Sequence, residues 1–234
     1  MFDTSRTIYF LLGIHFRLSK LEKKIPNMTP SEAREAAFHF VRPESAAFLQ
    51  NIPVRVIYHG IEYFPETSGI LFAGNHQSYF DIPILLACME SPTGFVGKSS
   101  LQKIPLIGRI MRLLECVFMD REDLRQSLDA IKSASELLKE GMNVVIFPEG
   151  TRSRSDEIGE FHKGSLKAAT MVGAPIVPFR IDGAHAIFES NRGFSVKPRE
   201  VHVYFGEPIY TDTLSRVDQK DLSANFENIV KSLP

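Results

Sequence analysis

The 234-residue sequence lacks several features that would each point to a particular class of protein. Its 27 Lys and Arg nearly balance its 28 Asp and Glu, so the net charge is −1 and no basic field is available to attract nucleic acid. The seven histidines do not cluster, and no metal-ligand spacing occurs. The chain has no internal repeat and no low-complexity tract. These absences leave no argument for nucleic-acid binding, a metal site or a repeat architecture.

Cysteine is also scarce, and long apolar runs are missing. The two cysteines, Cys88 and Cys116, lie far apart in apolar surroundings, which predicts free buried thiols in a reducing compartment. No apolar run reaches about eighteen residues, so no transmembrane helix is predicted. A secretory signal is not expected either, because His15 and Arg17 stand where its cleavage site belongs. The hydrophobic content of 44% can still fill a sizeable core, in one large domain or two small ones.

The first stretch that suggests chemistry is a polar turn, Gly74-Asn75-His76-Gln77-Ser78-Tyr79-Phe80-Asp81. The apolar run 70–73 before it predicts a buried strand, and the apolar run after it predicts a helix over 81–89. Open α/β sheets place their ligands at the carboxyl ends of such strands. Asp81 could orient His76 as a general base by accepting the proton of one ring nitrogen. Alternatively, Asp81 only caps the helix, which is the interpretation that the turn alone favours.

A second polar turn follows the apolar run 144–147. Gly150 permits close approach of the backbone, Thr151 and Ser153 offer hydroxyls, and Arg152 offers a fixed fork of donors. Because these groups suit an anion with several oxygens, the turn indicates a phosphate-binding loop.

The two turns together resemble the motifs of a known family. The pattern N-H-x4-D at residues 75–81, followed by F-P-E-G-T-R-S at residues 147–153, is similar to that of the glycerolipid acyltransferases, in particular the bacterial-type 1-acylglycerol-3-phosphate acyltransferases. The resemblance covers about residues 54–210. It implies an α/β fold with a mostly parallel central sheet flanked by helices. It also implies a helical membrane-docking segment over residues 1–50 and an acyltransferase domain over residues 51–234.

The resemblance also assigns roles to particular residues. His76 and Asp81 would be the catalytic pair, and no cofactor or metal would be needed because the thioester donor is already activated. A further motif begins at Lys98, although the glycine that many members carry beyond it is Glu115 or its neighbour here. Glu149 is unusual beside a phosphate, so we expect it to pair with a base or to order the loop. The residues implied for the acceptor's phosphate are Lys98, Arg121, Glu149, Gly150, Thr151 and Arg152.

Two helices are predicted before the first strand. The apolar stretch 7–18, with an excess of basic residues around it, predicts either a packed helix or a helix lying in the membrane interface. Thr29, Pro30 and Glu32 match a capping box that starts a second helix, which we expect Pro43 to break. The resemblance implies that such helices dock the protein, as a peripheral or monotopic protein, to the cytoplasmic face of the cell membrane.

Apolar periodicity outlines the remaining elements. A helix after Asp120, which can cap it, should end at Gly141 and link two strands by a right-handed crossover. The apolar stripe of this helix consists of Leu124, Leu128, Ile131, Ala134 and Leu138. Further helices are predicted over 165–172 and 214–233. Strands are predicted over 54–58, 93–96, 116–119, 143–147, 174–179 and 201–205.

The implied reaction is transfer of an acyl group from acyl-ACP or acyl-CoA to the 2-hydroxyl of 1-acyl-sn-glycerol 3-phosphate (lysophosphatidic acid), giving phosphatidic acid for phospholipid biosynthesis. We expect direct transfer without a covalent acyl-enzyme, because neither a serine elbow nor a cysteine motif is present. Three alternatives stay open. They are a hydrolase that uses the same pair with water, a sibling acyltransferase acting on glycerol 3-phosphate or another lysophospholipid, and an inactive lipid-binding protein.

Overall fold

The structure is a computed structural model that describes residues 4–120, 123–191 and 196–234. An eight-stranded sheet runs through this part of the chain. Its strands are β1 Val54–His59, β2 Leu71–Gly74, β3 Thr93–Lys98, β4 Val117–Met119, β5 Asn143–Ile146, β6 Pro175–Asp182, β7 Arg199–Phe205 and β8 Ile209–Tyr210.

The pairing of the strands decides where the loops meet. The order across the sheet is β1-β7-β6-β2-β5-β3-β4, and β8 pairs with β6. All pairs are parallel except β6 with β7 and β6 with β8. The predicted mostly parallel sheet is therefore confirmed. The loops that follow β2, β3, β4, β5 and β6 all leave the same edge of the sheet.

Helices cover both faces of the sheet. They are α1 Thr4–Glu22, α2 Pro30–Gln50, α3 Asp81–Cys88, α4 Pro105–Leu113, α5 Leu124–Lys139, α6 Lys167–Thr170 and α7 Arg216–Ser232. Successive strand residues point to opposite faces, so Phe72 joins one apolar cluster and Leu71 the other. The first cluster includes Phe38 of α2 and Leu85 of α3, and the second includes residues of α5, α6 and α7. This burial on both sides explains why the central strands read as continuous apolar runs.

Helix α2 begins as predicted but ends elsewhere. The hydroxyl of Thr29 accepts the N–H of Glu32, and the Glu32 carboxylate accepts the N–H of Thr29 at 2.8 Å, which confirms the capping box. The prediction that Pro43 breaks the helix is wrong, because the helix continues to its end at Gln50 with the proline inside. Leu49, beyond the proline, is buried in the core. Burial of this last stretch therefore outweighs the hydrogen bond that proline removes.

Two other helices differ from their predicted form. Helix α5 is capped by Asp123, which accepts the N–H groups of Arg125 and Gln126, rather than by Asp120. Leu128 of the predicted stripe is 44% exposed, because the buried stripe runs through Ala130, Ala134 and Leu138 and Leu128 lies off it. The side chain of Leu124 lies outside the described part. The predicted helix over 165–172 is only the four-residue α6, flanked by i→i+3 turns.

Helix α1 packs against the rest of the protein with one face only. Ile14 and Leu18 are buried, the ring of Phe10 stacks on that of Phe48, and Arg17 forms an ion pair with Glu44 at 2.6 Å. Tyr9, Leu12 and Phe16 are exposed on the other side. Within the described ranges, no helix is long and apolar enough to cross a bilayer.

Candidate active site

The loop after β2 holds a histidine and an aspartate in contact. Nδ1 of His76 lies 2.7 Å from Oδ2 of Asp81, and Asp81 is completely buried. The same oxygen accepts the backbone N–H groups of Gln77 at 2.7 Å and Ser78 at 2.9 Å. With its proton on Nδ1, the imidazole donates to Asp81 and keeps the lone pair of Nε2 for another partner.

The alternative in which Asp81 is merely a helix cap does not describe the geometry. Phe80 holds the N-cap position of α3 without a side-chain cap, and Asp81 is the first helical residue. Its carboxylate points back into the turn, onto the imidazole and two amides. The aspartate thus fixes both the shape of the turn and the direction of the ring.

An aromatic ring packs against one face of the His76 imidazole. The ring of His76 stacks on that of Phe147, with 3.9 Å between centroids and 15° between planes. Phe147 begins the F-P-E-G-T-R-S motif, so the second motif supports the histidine of the first. No separate role is predicted for Phe147 from the sequence, although its place in the motif was a signal that could have identified it.

Glu149 joins the two loops through backbone groups. Its Oε1 accepts the N–H of His76 at 2.7 Å, and its Oε2 accepts the N–H of Gly159 at 3.0 Å. The N–H of Ser153 donates to the carbonyl of His76 at 2.8 Å. Burial raises the pKa of the Glu149 carboxyl, an effect that the two backbone hydrogen bonds oppose. These contacts match the expectation that Glu149 orders the loop.

Arg152 is paired inside the protein. Its Nη1 donates to Oε1 of Glu189 at 3.0 Å, and its guanidinium carbon lies 3.3 Å from the ring centroid of Tyr79. Glu189 also accepts the hydroxyl of Ser78 at 2.7 Å and the N–H of Tyr79 at 3.0 Å. Sequence reasoning missed Glu189 because it stands outside both motifs, with its partners distant along the chain.

Two other residues of the first motif hold its loop to the neighbouring strand. The buried amide of Asn75 accepts the N–H of Ile181 at 2.7 Å and donates to the carbonyl of the same residue at 2.8 Å. Oε1 of buried Gln77 accepts the N–H of Ala184 at 2.9 Å. These bonds attach the loop after β2 to β6 and to the segment that follows it.

The remaining predicted phosphate residues lie along the same edge of the sheet. Lys98 is the last residue of β3, the neighbour of β5, and is exposed. Gly150 has φ of 75°, a left-handed conformation that favours glycine, and it is followed by exposed Thr151. Arg121 lies outside the described residues. The topology therefore gathers Lys98, Gly150, Thr151 and Arg152 at the edge that carries His76.

An apolar cavity of about 240 Å³ opens beside these loops. It lies between α5 and the sheet, and its lining includes Leu71, Val96, Ile131, Phe147 and Pro148. Phe147, the residue on which His76 stacks, is one of the lining residues, whereas His76 itself is not.

The described part of the chain contains no group of three or more His, Cys, Asp or Glu side chains that could hold a metal ion. Both cysteines are free and buried, as predicted. Burial raises the pKa of each thiol to about 12. Near neutral pH both thiols therefore favour the protonated, weakly nucleophilic form.

Residues 55–182, which hold the site apart from Glu189, match the sequence model of the family described as Acyltransferase. A protein of Mycoplasma genitalium described as a probable 1-acyl-sn-glycerol-3-phosphate acyltransferase is 31% identical over 95% of this chain and 86% of its own length. The 1-acyl-sn-glycerol-3-phosphate acyltransferase of Borreliella burgdorferi is 29% identical over 77% of this chain and 72% of its own length.

The fold also matches a solved structure. The crystal structure of the 1-acyl-sn-glycerophosphate (LPA) acyltransferase PlsC from Thermotoga maritima superposes with a TM-score of 0.76. The match covers 97% of this chain and 95% of that one at 24% identity, so it establishes a shared fold.

Proposed function

Since the chain belongs to the acyltransferase family, we propose that it transfers an acyl group from acyl-ACP or acyl-CoA to the 2-hydroxyl of 1-acyl-sn-glycerol 3-phosphate, giving phosphatidic acid. The observation that carries the proposal is the hydrogen-bonded pair of His76 and Asp81 at the sheet edge that also holds Arg152. The names of the relatives from M. genitalium and B. burgdorferi support the choice of acceptor.

The reaction needs one proton acceptor and one proton donor. Nε2 of His76 takes the proton of the 2-hydroxyl while the oxygen attacks the thioester carbonyl, and Asp81 stabilises the imidazolium that forms. The C–S bond then breaks, the ester C–O bond remains, and the imidazolium returns the proton to the departing sulfur. Positioned general-base catalysis supplies roughly 10²–10⁴-fold of the acceleration. The acyl group is transferred directly in this proposal, since the sequence has no serine elbow and burial of both cysteines disfavours a thiolate nucleophile.

The phosphate of the acceptor binds at the loop after β5 in this proposal. Arg152 and Lys98 supply charge, while Gly150 and Thr151 supply backbone and hydroxyl contacts. Arg121 keeps the role that the resemblance gives it. Glu149, by contrast, acts through the backbone of His76 and Gly159 rather than on the phosphate itself. Charged hydrogen bonds are worth roughly 1.5–3 kcal/mol each, so the phosphate gives much of the affinity for the acceptor.

The apolar cavity beside Phe147 suits a hydrocarbon chain. Its lining is almost entirely apolar, and it adjoins the ring that supports His76. A chain placed there would bring its carbonyl end toward the histidine. Burial of each methylene contributes about 0.8 kcal/mol, so this contact would give the enzyme affinity for long acyl groups.

We further propose that α1 lies in the interface of the cytoplasmic leaflet. Tyr9, Leu12 and Phe16 follow one another at intervals of three and four residues, so they project from one side of the helix. That side is exposed, while the opposite side packs on α2. An amphipathic helix with aromatic and aliphatic residues outward is suited to insert at the depth of the acyl chains. The acceptor resides in that layer, so docking would also deliver it.

The test is the release of thiol from an acyl thioester in detergent micelles by the full chain. The assay is run with and without 1-acyl-sn-glycerol 3-phosphate, and with glycerol 3-phosphate as a second acceptor. His76→Ala is compared with wild type and with His39→Ala, which removes an exposed histidine of α2. Acyl-CoA and acyl-ACP are tried in parallel.

The proposal expects release that requires the lysolipid, yields phosphatidic acid and disappears in His76→Ala only. Release without any acceptor would identify a thioesterase instead. A preference for glycerol 3-phosphate would identify a sibling enzyme. If neither acyl-CoA nor acyl-ACP releases thiol, the proposal is contradicted.

A further inference from the structure

Glu189 lies on the segment 183–191, which follows β6 and leaves the sheet at the edge of the candidate site. Its carboxylate contacts both motif loops. Ser78 and Tyr79 of the first loop donate a hydroxyl at 2.7 Å and an N–H at 3.0 Å, and Arg152 of the second donates Nη1 at 3.0 Å. One carboxylate thus connects the turn that bears His76 with the arginine proposed to bind phosphate.

The environment makes this contact rigid. The side chain of Glu189 is 5% exposed and that of Arg152 is 15% exposed, so neither charge is well solvated. Breaking a buried ion pair leaves an uncompensated charge and is strongly unfavourable. The guanidinium is also stacked on Tyr79, whose ring lies at its face while Glu189 lies at one edge. These two contacts hold the plane of the guanidinium in one orientation.

One edge of the Arg152 guanidinium remains available to bind a ligand. In the described part of the chain, its Nε and Nη2 form no hydrogen bond, whereas Nη1 is occupied by Glu189. Nε and Nη2 lie side by side and can bind two oxygens of one phosphate. An arginine already held in place loses little side-chain entropy on binding, which favours affinity.

We propose that Glu189 is a positioning residue for the acceptor, an inference that rests on the proposed function. It holds Arg152 on Tyr79 so that Nε and Nη2 face the phosphate, and it ties that arginine to the turn of His76. Its contribution is therefore to the recognition of the phosphate, through the orientation of Arg152.

Repulsion between Glu189 and the phosphate would have the opposite effect on the lysolipid KM, so the sign of the change in that KM tests the inference. A carboxylate next to a phosphate repels it, and an arginine without a partner has its whole charge free for the ligand. If repulsion dominated, removal of the Glu189 charge would lower the KM for the lysolipid. If positioning dominates, it raises that KM.

The experiment measures kcat and KM for 1-acyl-sn-glycerol 3-phosphate and for the acyl thioester in full-length Glu189→Gln, Arg152→Ala and the double variant. Glu207→Gln, which removes the charge of an exposed glutamate two residues after β7, is the control. Glutamine keeps the size of the side chain but not its charge. Glu189→Gln should raise the lysolipid KM about tenfold, the effect of weakening one charged hydrogen bond. Its kcat and its KM for the thioester should stay within about threefold of wild type.

The double variant separates positioning from general damage. If Glu189 acts through Arg152, adding Glu189→Gln to Arg152→Ala changes the lysolipid KM by less than about twofold. A lowered KM in Glu189→Gln, or an equal further rise in the Arg152→Ala background, would overturn the inference. If Glu189→Gln does not fold, Glu189→Asp, which keeps the charge but shortens its reach, tests positioning by itself: a raised lysolipid KM supports the inference, and an unchanged KM overturns it.

Failure of this inference is distinguishable from failure of the proposed function. An active wild type whose lysolipid KM is unchanged in Glu189→Gln overturns only the role of Glu189. A wild type that does not use 1-acyl-sn-glycerol 3-phosphate overturns both.

Discussion

Oε1 of Glu149 lies 2.7 Å from the backbone nitrogen of His76, so the second motif holds the first by a charged hydrogen bond. The other carboxylate oxygen holds Gly159, and a β-carbon at position 159 would approach that oxygen to 2.8 Å. Glu149 therefore fixes the backbone of the proposed base from a position that needs no contact with substrate.

Replacing Glu149 with Gln should lower kcat rather than weaken binding. The charged hydrogen bond to His76 becomes a neutral one, a loss of about 1–2 kcal/mol, which corresponds to about tenfold in kcat. The KM for the lysolipid should stay within about threefold. Steady-state kinetics with both substrates check this, with Glu157→Gln, an exposed glutamate of the same loop, as control. A lowered KM with unchanged kcat would show instead that the Glu149 carboxylate faces the phosphate and repels it.

The Asp81→Asn variant should be almost inactive while still folded. Because the N–H groups of Gln77 and Ser78 donate to the oxygen that faces Nδ1, the amide oxygen takes that place, but a neutral amide no longer stabilises the imidazolium. We expect kcat to fall about 10²–10⁴-fold with little change in either KM. Thermal unfolding of the variant tests whether the backbone bonds from Gln77 and Ser78 survive. Retention of more than about a tenth of the activity would contradict the proposed role.

Glu115 occupies a backbone conformation that suits glycine, with φ of 49°. Its carboxylate accepts Nε of Arg34 at 2.8 Å and Nη2 at 3.0 Å, which ties α2 to the start of β4. The left-handed backbone costs about 1–2 kcal/mol, and the two-point ion pair offsets part of that cost. Glycine at this position would relieve the strain and lose the pair.

A double-mutant cycle measures that balance. The effect of Glu115→Gly on the unfolding free energy should be about 1 kcal/mol more favourable in the Arg34→Ala background than in wild type. Chemical denaturation of the four proteins gives the values. Equal effects in both backgrounds would show that the ion pair contributes no measurable stability.

The two thiols should be unreactive in the folded enzyme. Since burial raises the pKa of Cys88 and Cys116 to about 12, the thiolate fraction at pH 8 is about 10⁻⁴. Iodoacetamide at pH 8 should leave the folded chain unlabelled and fully active, and should label both cysteines in guanidinium chloride. Mass spectrometry of the intact chain reads the labelling. Inactivation by alkylation of the folded protein would revive a covalent mechanism.

Binding to vesicles should depend on the exposed side of α1. Burying a leucine or phenylalanine side chain contributes about 1.5–3 kcal/mol, so Leu12→Glu with Phe16→Glu should lower the partition coefficient at least about a hundredfold. Flotation with phosphatidylglycerol-containing vesicles measures it. Val217→Glu, at a residue of α7 that is 67% exposed like Phe16 at 66%, is the matched control and should float as wild type does. Equal flotation of all three would assign docking to another surface.

The strands and the paired motifs were predictable because each is determined by residues close together in the sequence. Strand β1 was expected over 54–58 and is Val54–His59, since a short β-branched run specifies it without outside help. The contact between His76 and Asp81 was also within reach, because both residues lie in one turn. The capping box at Thr29 depends on residues three positions apart and was correct for the same reason.

The features that sequence analysis did not predict depend on contacts between distant parts of the chain. Helix α2 continues past Pro43 because its last stretch is buried in the core, and no local sequence pattern predicts that burial. The role of Glu189 could not be predicted, because its partners Ser78 and Arg152 are 111 and 37 residues away along the chain. No individual role was predicted for Asn75 of the first motif, although its amide makes two hydrogen bonds to Ile181 of β6. Long-range pairing thus completes a site whose chemistry is local.

Strand β1 pairs in parallel with β7, although β1 ends at His59 and β7 begins only at Arg199. During synthesis, β1 emerges well before β7, its hydrogen-bonding partner in the described sheet. Contacts of such large sequence separation slow folding, and an unpaired strand edge is open to association with other chains. The early-emerging helices α1 and α2 would cover apolar surface during that interval. A nascent chain stalled before residue 199 should therefore depend on chaperones far more than the finished protein does.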